Sequence, residues 1–444
     1  MSHPPVAAPS NRAARVRSHR VNSEAPNSEV SEEKVIIVSC DTHIGPRLRE
    51  ELRPYCPKAY LDDYDAFVAY VEGENGSHAV GEVMGTTGHY DPYRRIQDLD
   101  QDGTAAEVIF HGSQNGQPIP FIISDPSIGM ATMGRKYDVD YEHAAVGRHM
   151  YNEWLADFVS VEPERHVGLA HLPLWNIDDA IKEAKWAREH GLRAINFPSE
   201  SGPDQISKSR WGGQYKYNDP VWEPFWSACE DLGMALATHG GAGDPDNLPG
   251  GDASWVYEAN ELTRRPIHRM IFAGVFQRHP ELKVIVTEQP GQWWQTKKDD
   301  LDSLQWMQNL EKKPSEYMES NVFLGASFQS RFEAIDSIEM GYWRNILWGT
   351  DYPHIEGTWR FLEDETAEPY SQRSLRYSYH GLDLDKVEAM LGLNAIKVYG
   401  FDGDYLHDVA QKINAPTRAQ INEPLDEIPT DGGLWAFRQV GAFM

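Results

Sequence analysis

Eight short runs of apolar or β-branched residues recur along the chain, at 35–41, 106–110, 166–172, 193–197, 234–239, 283–288, 322–327 and 345–351. Most are followed by a stretch of helical period. Runs this continuous suit parallel strands buried on both faces, because a helix must cover each side of such a sheet. Eight strands alternating with helices predict an α/β chain of the (β/α)8 TIM barrel class rather than an open doubly wound sheet. No GxGxxG follows the first run, which removes the main support for a dinucleotide-binding fold.

The punctuation between runs agrees. Asn176 is placed to cap a helix whose apolar face uses Ala180, Ile181, Ala184 and Ala187, with Gly191 beyond its end. Asp219 before Pro220 is a cap followed by a first-turn proline, and Gly233 closes that helix. Ile267, Met270, Ile271, Gly274 and Val275 predict one face of a single helix stopped by Pro280. Residues 1–33 are rich in Pro, Ser, Asn and Arg and predict a disordered tail. The barrel is expected over 34–401. About 60 residues at 45–100 form an insertion after the first strand, expected to cap the barrel mouth, and the glycine-rich loop after His239 is a second lid candidate. Residues 402–444 read as a C-terminal extension, aromatic enough to pack on the barrel or on a partner subunit in a homodimer.

Composition narrows the class of partner. With 41 Lys+Arg against 68 Asp+Glu, the net charge of −27 argues against nucleic acid as a default ligand. Cys40, Cys56 and Cys229 give neither a disulfide framework nor a CxxC site and fit a reducing compartment. No run approaches the roughly 18 apolar residues of a membrane span. The expectation is a cytoplasmic, soluble protein that acts on a small molecule.

In such a barrel the C-terminal strand ends converge on one mouth, so chemistry-bearing residues belong there. The first run ends in Asp41-Thr42-His43, the third contains His171, the fifth ends in His239, the sixth in Glu288 and the eighth in Asp351, with His354 three residues on. Alternation places Asp41 and His43 on one face. Histidine and carboxylate are what zinc, manganese and ferrous iron accept without thiolate, and zinc is the first expectation. Each residue alone is more often structural; their shared topological level makes the metal site. A divalent ion there lowers the pKa of bound water from near 16 toward about 7, with Asp351 placed to take a proton. The substrate pocket is expected from His111, Asn196, Trp175, Phe197, Trp293, Trp294, Phe328, Tyr352 and Trp359, which suits a cyclic or aromatic substrate, although packing is the commoner use of such aromatics. His354 and Glu356 are expected beside Asp351, as a second shell or mouth lining.

The segments CDTHIGP, RRIQDLDQDGTAAEVIF, YNEWLADF with PERHVGLAHLPL, ATHGG, GVFQRHPELKVIVTE with its following Gly-x-Trp, and ILWGTDYPHIEGTW resemble the amidohydrolase superfamily over about 35–401. The resemblance is to the branch that includes aminocarboxymuconate-semialdehyde decarboxylase and related decarboxylases. It implies that Asp41 and His43 are the first-strand ligand pair, His239 the fifth-strand ligand and Asp351 the eighth-strand ligand and proton acceptor. The sequence departs from that pattern in three places. Asp41 stands where many relatives have His or Glu. RAINFPS lacks the lysine that bridges two metals, which favours one ion. Glu288 stands where decarboxylases present histidine, so it is a candidate acid, base or ligand, and could hold a second ion with His171. The resemblance implies hydrolysis or nonoxidative decarboxylation of a small organic acid or amide. The alternative on the same fold is a monooxygenase with two irons, and metal content separates the two. A noncatalytic scaffold would not need this ligand set.

Overall fold

The computed structural model describes residues 33–72, 85–121, 141–199, 215–240, 248–289, 291–307, 309–362, 364, 366–429, 435–439 and 441. Its strands are β1 Val38–Ile44, β2 Ala106–His111, β3 His166–His171, β4 Ala194–Asn196, β5 Ala235–Thr238, β6 Val284–Val286, β7 Val322–Ser327 and β8 Ile346–Gly349. They lie in one sheet in chain order, and every successive pair from β1–β2 to β7–β8 is parallel. The last strand returns to the first through a parallel bridge between Thr42 and Tyr352. The Asp351 N–H donates to Asp41 O at 2.9 Å and the His43 N–H to Tyr352 O at 2.6 Å. This is the (β/α)8 barrel.

Alternation along the strands divides the core into two layers. Val108, Phe110, Leu169, Ala237, Ile285 and Leu347 fill the interior, joined by Tyr399, Phe401 and Leu406 from beyond β8. Their neighbours Ile109, Ala170, Leu236, Val286, Leu324 and Trp348 belong to the outer layer with the helices. The Asn176 side chain accepts from the N–H groups of Asp178 and Asp179 and starts helix Ile177–Glu189, which buries Ala180, Ala184 and Ala187. Asp219 accepts from Val221 N–H.

The single helix expected through Gly274 is instead two, Arg265–Phe272 and Val275–Arg278. Gly274 has φ 69° and breaks the chain between them. The described part of the stretch after β1 holds two α-helices of its own, Leu61–Glu72 and Pro92–Asp102. Residues 73–84 of that insertion, the tail 1–32 and the loop 241–247 lie outside the described residues. Past β8, helix Gly403–Lys412 sends Leu406 to the inner layer, Phe437 packs on Tyr377, and Arg438 pairs with Glu333 at 2.6 Å. Among the described residues no helix is long and apolar enough to cross a membrane.

One buried charge network ties the β1–β2 helix to the barrel. Arg95 Nη2 lies 2.6 Å from Glu107 Oε2, and Glu107 Oε1 lies 2.9 Å from His166 Nδ1, with all three residues fully buried. Arg95 Nη1 also donates to His43 O at 2.6 Å. Removing one partner of such a pair leaves a charge in a low dielectric with nothing to balance it. Arg95→Met is therefore expected to destabilise the fold by about 3–5 kcal/mol in urea unfolding; a loss under about 1 kcal/mol would show that the network contributes little.

Candidate metal centre

The first strand carries an irregularity where the site begins. Its register against β2 shifts between Ser39 and Thr42. Val38 and Cys40 point into the apolar interior, and past the shift Asp41 and His43 turn toward the mouth. The shift is pinned by Ser39 Oγ, 2.9 Å from Thr350 Oγ1 on the neighbouring segment. Gly349, the last residue of β8, makes room: a Cβ there would stand 2.7 Å from Asp41 Cβ.

The remaining side chains leave the barrel just past the ends of the strands. Glu288, Phe328 and Asp351 follow β6, β7 and β8 with φ of 57°, 43° and 58°. Left-handed backbone at a residue with a Cβ costs about 1–3 kcal/mol and persists only where the surroundings enforce it. Three such residues at one rim end the strands early and turn two carboxylates inward. Gly240 admits Glu288, since a Cβ at that glycine would lie 2.1 Å from Glu288 Oε2.

The result is a tight cluster. Asp41 Oδ1 lies 3.1 Å from His43 Nε2 and 3.2 Å from His239 Nε2, while Asp41 Oδ2 accepts from Ser327 Oγ. Asp351 Oδ1 lies 3.2 Å from His43 Nε2 and 3.0 Å from His354 Nδ1. The His354 ring stacks on His43 with centroids 3.9 Å apart. Among the described residues, ligand atoms within 4.8 Å of one another form three overlapping groups: Asp41, His43 and His239; His43, Asp351 and His354; Glu288, Asp351 and Glu356.

The tautomers bear on what fits between them. His43 Nδ1 faces His111 O at 3.2 Å, and His239 Nδ1 faces Gly240 O at 3.2 Å. A carbonyl only accepts, so each Nδ1 holds a hydrogen; burial keeps His43 neutral, at about 3, with a bare Nε2 toward carboxylate oxygen, whereas against the effect of burial Asp41 raises His239 to about 9, so that its Nε2 shares a proton with Asp41 unless a cation takes its place. Lone pair against lone pair at about 3 Å requires a proton or a cation between them. Both Asp351 oxygens and His43 Nε2 are buried without a hydrogen bond. Two imidazole nitrogens and two carboxylates are a donor set that zinc, manganese and ferrous iron accept.

Electrostatics shows the same strain. Burial pushes Asp351 up to about 7, with Asp41 and Glu356 adding to it against the pull of His354. Burial likewise drives Glu288 up to about 8; His239 opposes the rise and Asp351 and Asp41 reinforce it. Burial raises Asp41 too, yet His239 and His43 hold it well below the ordinary carboxylate range. Burial, with the charge of His354, takes His43 down to about 3.

Other residues singled out in the sequence have different surroundings. His171 is in none of the three groups; it sits beside Asn196, whose Nδ2 is 3.4 Å from its Nδ1, and T-shaped to Tyr151. Glu288 meets Asp351 and Glu356 instead of His171. His111 supplies its carbonyl to His43, and burial followed by the charge of His43 takes its ring down to about 3. Several aromatics are engaged in packing: Tyr352 with Trp359 and, through its hydroxyl, Asp98; Trp294 with Tyr342; Trp175 over Arg148; Trp293 over Arg264; Phe197 with Tyr217; Phe328 with Trp435. Ser327, Gly349 and Gln114 were not anticipated. Ser327 carried a signal, as a hydroxyl at a strand end. Gln114, which donates to both oxygens of Glu356 at 2.9 and 3.0 Å, carried none, because it lies 242 residues away.

The amidohydrolase family model matches residues 115–401. The chain is 27% identical over 197 residues to 2-amino-3-carboxymuconate-6-semialdehyde decarboxylase of Dictyostelium discoideum, covering 44% of this chain and 46% of that protein. It is 25% identical over 224 residues to gamma-resorcylate decarboxylase of a Polaromonas species, 46% of this chain and 64% of the relative. The matches thus span less than two thirds of both relatives. The structure of 5-carboxyvanillate decarboxylase from Sphingomonas paucimobilis superposes with TM-score 0.56 at 20% identity, over 83% of this chain and 100% of the other. That of a dihydroxybenzoic acid decarboxylase from Polaromonas, with manganese and 2-nitroresorcinol bound, gives 0.52 at 16%, over 84% and 99%. At these identities the two structures establish the fold.

Gly349 gives a test of the local geometry. Gly349→Ala forces a methyl to within 2.7 Å of Asp41 Cβ and 3.0 Å of its backbone nitrogen. Overpacking of this kind is expected to cost about 1–3 kcal/mol in urea unfolding. Unchanged stability would mean that β1 and β8 part freely at this rung.

Proposed function

The chain belongs to the amidohydrolase family, and from that premise we propose that it is a metal-dependent enzyme removing CO2, without an oxidant, from an aromatic or other cyclic carboxylic acid. The observation that carries this is the convergence of Asp41, His43, His239 and Asp351, with the Nε2 atoms of both imidazoles facing carboxylate oxygens at about 3 Å. The names of the relatives support decarboxylation over hydrolysis and lend nothing to the oxygenase alternative. The manganese of one structural neighbour moves manganese ahead of the zinc expected from sequence. Buried Cys40, Cys56 and Cys229, all free thiols, fit a reducing cytoplasm.

In this reading Asp41, His43, His239 and Asp351 hold the ion. When bound, a divalent cation supplies Lewis-acid polarisation of oxygen groups on the substrate and an electron sink. Ser327 fixes Asp41 by its hydrogen bond. His354 donates Nε2–H to Gly112 O at 2.7 Å and presents Nδ1 to Asp351 at 3.0 Å, which orients the carboxylate and connects it to a proton source. Asp351 gives a proton to the carbon bearing the carboxylate. The bond to the carboxylate carbon then breaks, its electron pair returns to the ring, CO2 leaves, and Asp351 regains a proton through His354.

The test follows CO2 release and oxygen consumption together, using manganese-loaded protein and a panel of hydroxybenzoates that includes 2,6-dihydroxybenzoate and 5-carboxyvanillate. Release of CO2 with no oxygen uptake is expected, and Asp351→Asn is expected to lower turnover by about 10²–10⁴-fold while remaining folded. Oxygen uptake coupled to turnover, or wild-type rates in Asp351→Asn, would overturn this assignment.

A further inference from the structure

In a chain of net charge −27, the helix Arg265–Phe272 of the outer layer contains no acidic residue. Pro266, Ile267, Met270 and Ile271 bury one side of it. Arg265, His268, Arg269 and Phe272, spaced i, i+3, i+4 and i+7, make the other side. Like charges four residues apart, as at Arg265 and Arg269, weaken a helix instead of supporting it.

This side borders a groove of about 370 Å³ lined by Asn218, His268, Arg269, Phe272 and Ala273. Lys297, from helix Trp293–Ser303, adds its charge there: burial takes His268 down to about 4, and after burial the charges of Lys297, Arg269 and Arg265 push the same way. Lys297 is itself lowered, by burial and by Arg264, against the pull of Glu261 and Asp300. Among the described residues neither Arg269 nor Lys297 forms an ion pair. Arg269 Nη1 donates to the neutral Asn218 Oδ1 at 3.4 Å, and Glu261 is taken by Arg264 at 2.7 Å. Cations gathered without a counter-charge attract an anion.

We infer that this groove binds a small aromatic carboxylate, with the carboxylate on Arg269 and Lys297 and the ring against Phe272 and Ala273. The planar guanidinium of Arg269 matches a carboxylate through two parallel hydrogen bonds, and neutral His268 adds an N–H. Phe272 and Ala273 pack on the core yet stay partly open, so they supply an apolar wall on the other side. The volume is at the small end for small-molecule sites and suits one ring. Phosphate sites draw instead on the backbone N–H groups of a helix N-terminus, whereas His268, Arg269 and Phe272 lie along the middle and the C-terminal end of their helix. None of the five lining residues belongs to the ligand groups at the mouth, so the site is separate from the metal centre and independent of the decarboxylase reading.

The probes are benzoate, acetate and inorganic phosphate, titrated separately into full-length protein by calorimetry at neutral pH. The wild type is expected to bind one benzoate per chain that Arg269→Gln loses or holds about tenfold or more weakly. Lys297→Gln provides the same readout should the first variant fail to fold. Acetate, which has the carboxylate without the ring, is expected to bind about tenfold or more weakly than benzoate. Absence of benzoate binding, or binding unchanged in folded Arg269→Gln and Lys297→Gln, would overturn the site. Acetate or phosphate binding there as tightly as benzoate would overturn the aromatic class of the ligand. Because the readout is the difference between wild type and variant, benzoate held at the metal centre cancels from it, and CO2 release neither supports nor removes this site.

Discussion

The seam that closes the barrel and the rung that carries the site are the same piece of backbone. Asp351 N–H bonds to Asp41 O, and His43 N–H bonds to Tyr352 O. Three of the four side chains proposed to hold the ion thus hang from the two backbone segments that these bonds lock together. Closure of a cylinder is an all-or-none property of the sheet, because the last strand pairs with the first only when the tilt of every strand between them is right. Placement of the ligands inherits that rigidity. Their mutual distances are fixed by main-chain hydrogen bonds instead of by long flexible side chains, which is the condition for a preorganised centre.

That rigidity also explains how the rim sustains unfavourable local states. Left-handed backbone at Glu288, Phe328 and Asp351 and the concentration of carboxylates around Asp351 both run against stability. They persist because the inner layer, with Val108, Phe110, Leu169 and Leu347, and the outer layer, with Ile109, Leu236 and Trp348, are packed independently of the mouth. The network of Arg95, Glu107 and His166 adds a link from the outer layer to the carbonyl of His43. Strain at the rim is balanced by burial elsewhere, the usual division of labour between the stable body and the functional face of a barrel.

Much of the architecture was legible in the chain. Runs of apolar residues at 106–110 and 322–327 became strands with nearly the same bounds, and Asn176 and Asp219 cap where their side-chain chemistry puts them. Three features were not legible. Apolar spacing persists across Gly274 and predicts one continuous helix, because periodicity does not register a single left-handed residue. The residue pattern extends the strands one or two residues too far at 239, 288 and 351, because the run of residue types continues after the backbone has turned. Aromatics were the least legible: Trp294 and Tyr352 stand near strand ends in sequence, but alternation and helix placement commit them to Tyr342 and to Trp359 with Asp98.

The sequence by itself determined the fold class and brought Asp41, His43, His239 and Asp351 to one topological level, since strand-end position is a local property of pattern and a parallel barrel gathers every strand end at one rim. Tertiary structure alone decided which atoms face one another. The register shift in β1, the Nε2 of His43 turned to the carboxylates by the carbonyl of His111, and the meeting of Glu288 with Glu356 instead of His171 all depend on residues tens to hundreds of positions apart. Local pattern fixes the direction of a strand. Distances between side chains on different strands come only from how the closed sheet is packed.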